Sequence, residues 1–177
     1  MTPNEDVEPD TKDWTWVLDS PCHECGFDAA SVRPTDVAWH VRRNAADWPT
    51  RLAGPGVDAR PLPGKWSVLE YGCHVRDVHR IFRQRLRLML DEDEPRFPNW
   101  DQDETALADD YASQLPGTVA AELVAAADAV ADTYAAVPDD GWSRRGLRSN
   151  GSEFTVASIA VYHLHDVVHH AWDVDPG

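Results

Sequence analysis

Positive charge is what this 177-residue chain has least of. Sixteen Lys and Arg stand against 31 Asp and Glu, a formal net charge of −15 with a pI near 4.7. Such a surface repels nucleic-acid phosphates and anionic lipid headgroups, and no Lys/Arg cluster is dense enough to offset it, so nucleic acid and membrane are excluded as partners. No run approaches the roughly 20 apolar residues that span a bilayer. The acidic start, Met1 to Asp13, also lacks the basic-then-apolar order of a signal peptide; a cytoplasmic protein is expected. Cysteine is scarce too. Three cysteines, an odd number, do not make a secreted disulfide framework. Cys22 and Cys25 form a C-x-x-C that reads as half of a zinc knuckle, as a redox pair, or as ordinary turn cysteines. Zinc would need two further ligands, a redox pair wants a strand-to-helix setting, and Pro21 to Gly26 has the composition of a turn.

Apolar residues make up 42% and charged residues 27% of the chain, the balance of one soluble domain with a proper core. An N-terminal extension with the Cys-x-x-Cys turn is assigned to residues 1–30, and a helical domain to 31–177. Pro9 to Asp13 reads as a loosely docked tail, with Trp14 and Trp16 tucking an extended segment onto the core. Thr35 is placed as the cap of a first helix whose stripe of Val37, Val41, Ala45 and Trp48, with Ala38 and Leu52, runs to Gly54-Pro55-Gly56. A Gly/Pro-rich loop over 54–65 leads to a capping box, Ser67 with Glu70, that opens a long second helix ending at Asp91-Glu92-Asp93-Glu94-Pro95. A short helix is expected around Thr105 to Ser113, and a third long one over Val119 to Val137. Phe154-Thr155-Val156 reads as briefly extended before Thr155 caps a last helix over Val156 to Val174. With strand signals nearly absent, the architecture expected is an all-α four-helix bundle with long inter-helix connections.

The last helix carries four of the eight histidines within eight residues, His163, His165, His169 and His170. At about 100° per residue, Ala160, Leu164, Val167, Ala171 and Val174 form its core stripe. His163, Asp166, His170 and Asp173 flank that stripe, while Tyr162, His165, His169 and Trp172 lie towards the outside. Two i, i+4 pairs result, Asp166 with His170 and His165 with His169, each able to reach one cation. One helix supplies only half a site, and His74 is the partner expected from the second helix, on an apolar face where an unpaired imidazole is costly to bury. The bland alternative is a solvated histidine face with His74 bonded to nearby backbone. His23, His40 and His79 are read as surface or packing residues, and Cys73, which points about 100° away from His74, as core. Asp173, Arg76 and Asp77 are candidates to orient the ligands, helix-surface ion pairs explaining the last two equally well. Trp100-Asp101-Gln102-Asp103 either borders the pocket or plugs the helices.

Trp66-Ser67-Val68-Leu69-Glu70 followed by His74, with a histidine-rich final helix more than eighty residues later, resembles the DinB/YfiT-like superfamily. The tail Asp166-Val167-Val168 with His170 and Asp173 is also similar to the N-terminal domain of mycothiol-dependent maleylpyruvate isomerases. The resemblance spans about Thr35 to Val174. It implies a four-helix bundle holding one divalent metal, zinc or nickel, on His74, Asp166 and His170. Most of the broader superfamily carries histidine where this chain has Asp166, so His165 and His169 stay open as the alternative pair. The implied chemistry is activation of a low-molecular-weight thiol such as mycothiol or bacillithiol for attack on a small electrophile, as a metal-dependent thiol transferase or isomerase. Two other readings stand beside it. One is a noncatalytic stress-related bundle that binds metal or a small ligand. The other is a helical homodimer whose histidines decorate its surface.

Overall fold

The computed structural model describes residues 12–175. In chain order its regular elements are α1 (Val37–Ala46), α2 (Trp48–Leu52), α3 (Val68–Asp91), β1 (Arg96–Phe97), α4 (Gln102–Ala108), α5 (Pro116–Ala135), β2 (Arg145–Arg148), β3 (Glu153–Thr155) and α6 (Val156–Val174). Helix α3 packs on α5 and α6, and α1 packs on the same two. The order round the bundle is therefore α1, α5, α3, α6, with α1 and α3 on a diagonal, which is not simple up-down winding. Among the described residues no helix is long and apolar enough to cross a membrane.

The two helices that carry His74, Asp166 and His170 are fixed at their starts by reciprocal caps. At α3 the Ser67 amide donates to Glu70 Oε2 at 2.8 Å, and the Glu70 amide donates back to Ser67 Oγ at 3.2 Å. Arg60 Nε also donates to Glu70 Oε2 at 3.0 Å, so a buried carboxylate is satisfied twice. At α6 the amides of Thr155 and Ser158 exchange bonds with each other's hydroxyls at 2.9 and 3.0 Å.

Five expectations need correction. The first helix is broken: Thr35 sits inside a 3-10 turn, Pro34–Asp36, and Pro49, with no amide to continue the ladder, separates α1 from α2. The helix expected at Thr105 starts at Gln102, where Asp101 accepts from the Glu104 amide, and α5 starts at Pro116. The connections hold a three-stranded sheet, β1 parallel to β2 and β2 antiparallel to β3, in segments too short to show an alternating pattern. Trp14 and Trp16 belong to a segment that winds into a 3-10 turn at Thr15–Leu18. Of the tail expected over residues 9–13, all up to residue 11 lies outside the described residues.

The sheet seals one end of the core through Gly146, directly over α3. A Cβ there would come within 2.7 Å of Met89 Cγ and 2.9 Å of Phe97 Cε1, and the aromatic ring has little room to give. Gly146→Ala is expected to destabilise the fold by about 1–3 kcal/mol, the usual cost of overpacking, read from the shift in urea denaturation midpoint. An unchanged midpoint would mean that the sheet is not clamped on α3.

Candidate metal centre

His74 on α3 and His170 on α6 meet across the bundle with their Nε2 atoms 3.0 Å apart. Asp166, one turn before His170, places Oδ1 3.5 Å from His170 Nε2 and 3.8 Å from His74 Nε2. The three donors form a triangle. Ligand bonds near 2.1 Å put neighbouring donors roughly 3.0–3.4 Å apart, so the triangle has nearly the edges of one face of a coordination sphere. Asp166 Oδ1 is buried and, among the described residues, has no hydrogen-bond partner. A carboxylate oxygen withdrawn from water, facing two ring nitrogens at more than hydrogen-bond distance, fits a cation better than a proton.

The protonation states suit that fit. Burial, and then the neighbouring His170, push the His74 imidazole below its ordinary value despite the pull of Asp166. Burial raises the Asp166 carboxyl, but the imidazoles of His74, His170 and His163 outweigh it and hold it far below the carboxylate range. Asp173 behaves alike: burial raises it, and His170, His169 and Lys65 bring it below its ordinary value. Its Oδ2 accepts from His170 Nδ1 at 2.9 Å, which leaves the Nε2 lone pair of His170 directed at the triangle. The His74 ring is held by stacking on Trp100, centroids 5.2 Å apart and nearly parallel, and by Trp66 at 5.2 Å. Its Nδ1 has no hydrogen-bond partner among the described residues.

The triangle opens on a cavity of about 650 Å³ whose walls include Trp66, Tyr71, Trp100, Tyr162, Arg85 and Arg148. Trp100 to Asp103 border this cavity, as one of the two readings had it. Arg76 and Asp77 do not orient the ligands. They pair with each other, and Asp77 also accepts from Tyr111 Oη at 2.6 Å, on the side that faces α4 and α5. Cys73 is core: its Sγ lies 3.8 Å from the Tyr111 carbonyl, and burial pushes the thiol up to about 12.

The alternative pair, His165 and His169, converges on other partners. One donor atom each from these two rings and from Cys22 and Cys25 lies within 4.8 Å of all the rest. Both rings were expected towards the outside, yet they are only 3% and 6% exposed, because Trp14, Phe27 and the cysteine turn cover that face of α6. Conversely Ala171 and Val174, expected in the core stripe, keep partial exposure. The C-x-x-C and H-x-x-x-H spacings were both visible in the sequence, but the 139 residues between Cys25 and His165 hid their association. Arg85 and Arg148 were missed altogether, since neither stands in a recognisable motif.

The chain matches the family model described as the DinB superfamily over residues 35–174. Among solved structures, YfiT from Bacillus subtilis, described as a probable metal-dependent hydrolase with an unusual four-helix bundle topology, superposes with a TM-score of 0.72 at 17% identity, covering 81% of this chain and 84% of that one. At that identity the likeness shows the fold. Comparison with curated proteins finds no match.

Below the triangle a second set of rings is sealed from water. His163 Nε2 lies 3.0 Å from His79 Nδ1, and its Nδ1 lies 3.0 Å from Tyr134 Oη, all three residues being at most 2% exposed. His79, read as a surface or packing residue, is thus part of the core. Burial brings the His163 imidazole from 6.5 down to about 4. As pH falls from 6.5 towards 4, the unfolded chain takes up a proton that the folded ring refuses. The stability held in full above 6.5 therefore drains through that window. Urea denaturation with chelator present should show the midpoint falling from pH 6.5 to 4, with a shallower fall in His163→Gln. Equal slopes in the two proteins would contradict neutral burial of His163.

Proposed function

Because this chain belongs to the DinB superfamily, we propose that it is a divalent-metal-dependent enzyme that joins a low-molecular-weight thiol to, or isomerises through that thiol, a small anionic electrophile. The observation that carries this reading is the triangle of His74 Nε2, Asp166 Oδ1 and His170 Nε2 at the head of a cavity lined by two arginines. Three protein donors leave positions open, the arrangement of catalytic rather than structural sites. Bound there, a divalent ion such as zinc or nickel lowers the pKa of a thiol or water in its open position.

The chain's own residues supply the rest. Arg85 and Arg148 bring two positive charges to a cavity whose lining also includes Lys12 and the carboxylates of Asp13, Glu24, Asp101 and Asp103, and the charge of Arg148 helps to lower the Asp13 carboxyl after its hydrogen bonds from Thr15. Burial, with Arg148 alongside, brings the Arg85 guanidinium down to about 10, which still leaves it a cation at neutral pH. Arg85 is held over the rings of Phe82 and Phe97, and donates to the Pro98 carbonyl at 3.2 Å. Arg148 lies over Phe154 and Tyr162, and its other donors meet Asn150 and Ser152. Tyr162 precedes Asp166 by four residues of α6, about 6 Å of rise, so an anionic group held at Arg148 extends towards the triangle. Trp66, Trp100 and Tyr71 make the nearer walls apolar and limit water there.

A nucleophile from the chain itself is not offered. Cys73 is buried away from the cavity, and burial, with the neighbouring Cys22 adding to it, raises the Cys25 thiol to about 11 even though the Phe27 and Cys25 amides oppose this. An external thiol fits the volume. The second reading is hydrolysis, with water in place of the thiol, as the description of YfiT suggests for that protein.

His74→Ala is expected to lose the metal equivalent held at the triangle and all turnover, while folding is retained; metal analysis of the purified variant checks it. Retained metal at that site would sink the assignment. Arg85→Met or Arg148→Met should raise KM for an anionic electrophile roughly tenfold to hundredfold, as loss of a charge-assisted hydrogen bond worth about 1.5–3 kcal/mol requires. Assays with mycothiol or bacillithiol and a panel of anionic and neutral electrophiles separate the readings. Turnover that needs the thiol supports transfer or isomerisation, and turnover without any thiol supports hydrolysis.

A further inference from the structure

The geometry points to a second metal site in this protein, a closed Cys2His2 zinc site built from Cys22, Cys25, His165 and His169 that ties the N-terminal segment to α6. It uses none of the three residues of the catalytic triangle and does not depend on the reading of that triangle. Cys22 and Cys25 lie at the two ends of a tight turn. The Cys22 amide donates to the Phe27 carbonyl at 2.8 Å, the Gly26 amide donates to the Cys22 carbonyl at 3.0 Å, and Gly26 takes φ of +73°, a conformation that glycine adopts without strain. The turn brings both sulfurs within 4.8 Å of the two rings and of each other.

The histidines complete the set at i and i+4 on α6, one face of one helix. Cys22 Sγ is 3.7 Å from His169 Nδ1. A tetrahedral ion with bonds of about 2.0–2.3 Å has sulfur–nitrogen edges of roughly 3.5 Å, so this edge is already close to its bound length. No pair of donors in the cluster is more than 4.8 Å apart. The other nitrogen of His169, Nε2, faces two carboxylates, Glu24 Oε2 at 3.3 Å and Asp173 Oδ2 at 3.9 Å. A proton on Nε2 leaves the Nδ1 lone pair directed at the cysteines, the arrangement by which an outer carboxylate orients a metal-bound imidazole. His165 is 3% exposed, and its Nε2 is buried with no hydrogen-bond partner among the described residues. A buried imidazole held between Trp14 and Phe27 without a partner for that nitrogen calls for one.

The donor set also decides the kind of site. Two thiolates and two imidazoles fill a tetrahedron and leave no open position, which makes the site structural, and the soft sulfurs favour zinc over magnesium, calcium or manganese. On binding, the two thiols release their protons to solvent and no electrons are exchanged. The two sites alternate along α6: His165 and His169 serve one, Asp166 and His170 the other. Asp173 Oδ2 stands between them, 2.9 Å from His170 Nδ1 and 3.9 Å from His169 Nε2.

Cobalt(II) added to reduced, metal-free protein tests the proposal. The expected spectrum has a thiolate-to-cobalt charge-transfer band in the near ultraviolet and the intense visible bands of a tetrahedral site. Both persist in His74→Ala and vanish in the Cys22→Ser/Cys25→Ser double variant, so failure of this site and failure of the catalytic triangle are distinguishable. Cobalt bound with no charge-transfer band in the wild-type protein would overturn the proposal, and that readout needs no variant to fold. Zinc release gives a second wild-type readout: modification of the two cysteines in native, zinc-loaded protein should free one zinc for every two thiols modified. Modification of both thiols with no zinc released would also overturn it.

Discussion

An imidazole nitrogen taken out of water is costly to leave without a partner, and much of this structure is arranged around that cost. Five histidines are buried, His74, His79, His163, His165 and His169, and three of them project from α6 alone. The core supplies one solution in which His163 is shared between His79 and Tyr134. Towards its C-terminal end the helix uses carboxylates, with Asp173 fixing His170 and, with Glu24, facing His169. Among the described residues His74 Nδ1 and His79 Nε2 are buried without a hydrogen-bond partner, and two further unsatisfied groups stand beside potential metal ligands. Asp166 Oδ1 stands between His74 and His170, and a nitrogen of His165 lies beside the cysteine turn. Both fit a cation, and in each the donor types match the ion invoked.

The two proposed centres differ in the number of donors. The triangle of two imidazoles and one carboxylate is open towards the cavity, where aromatic walls and two arginines can hold a substrate. The Cys2His2 set is closed and lies where the N-terminal segment covers α6. The covering matters to the open site as well. Glu24 and Trp14 from that segment also line the cavity, so fixing the cysteine turn fixes part of the wall against which a substrate would rest. Binding energy spent on order at the closed site is stability gained by the folded form.

Much of the fold was legible because its signals are local. The capping boxes at Ser67 and Thr155 placed the starts of α3 and α6 to the residue, and the Gly/Pro-rich loop before Ser67 and the acidic Asp91–Pro95 stretch marked where α3 stops. The break at Pro49 was equally local and was passed over because the apolar stripe continues through it. The sheet was hidden by strands of two to four residues that pair across distant segments. The triangle was accessible from the i, i+4 spacing of Asp166 and His170, from a histidine on the apolar face of α3, and from the family resemblance. The outward placement of His165 and His169 failed for a physical reason: a helical wheel assumes one buried face, whereas α6 is covered on a second face by residues 14–27. Once that cover is known, the histidines that looked like surface decoration become the second half of the cysteine motif.

The central claim is that one helix serves two metal centres of different kinds. Anomalous diffraction at the zinc edge from crystals of the zinc-loaded protein addresses it most directly. Two peaks are predicted, one between His74, Asp166 and His170 and one among Cys22, Cys25, His165 and His169. A map with no peak at the triangle, or with Cys22 joined to Cys25 and no peak beside His165, would contradict the account.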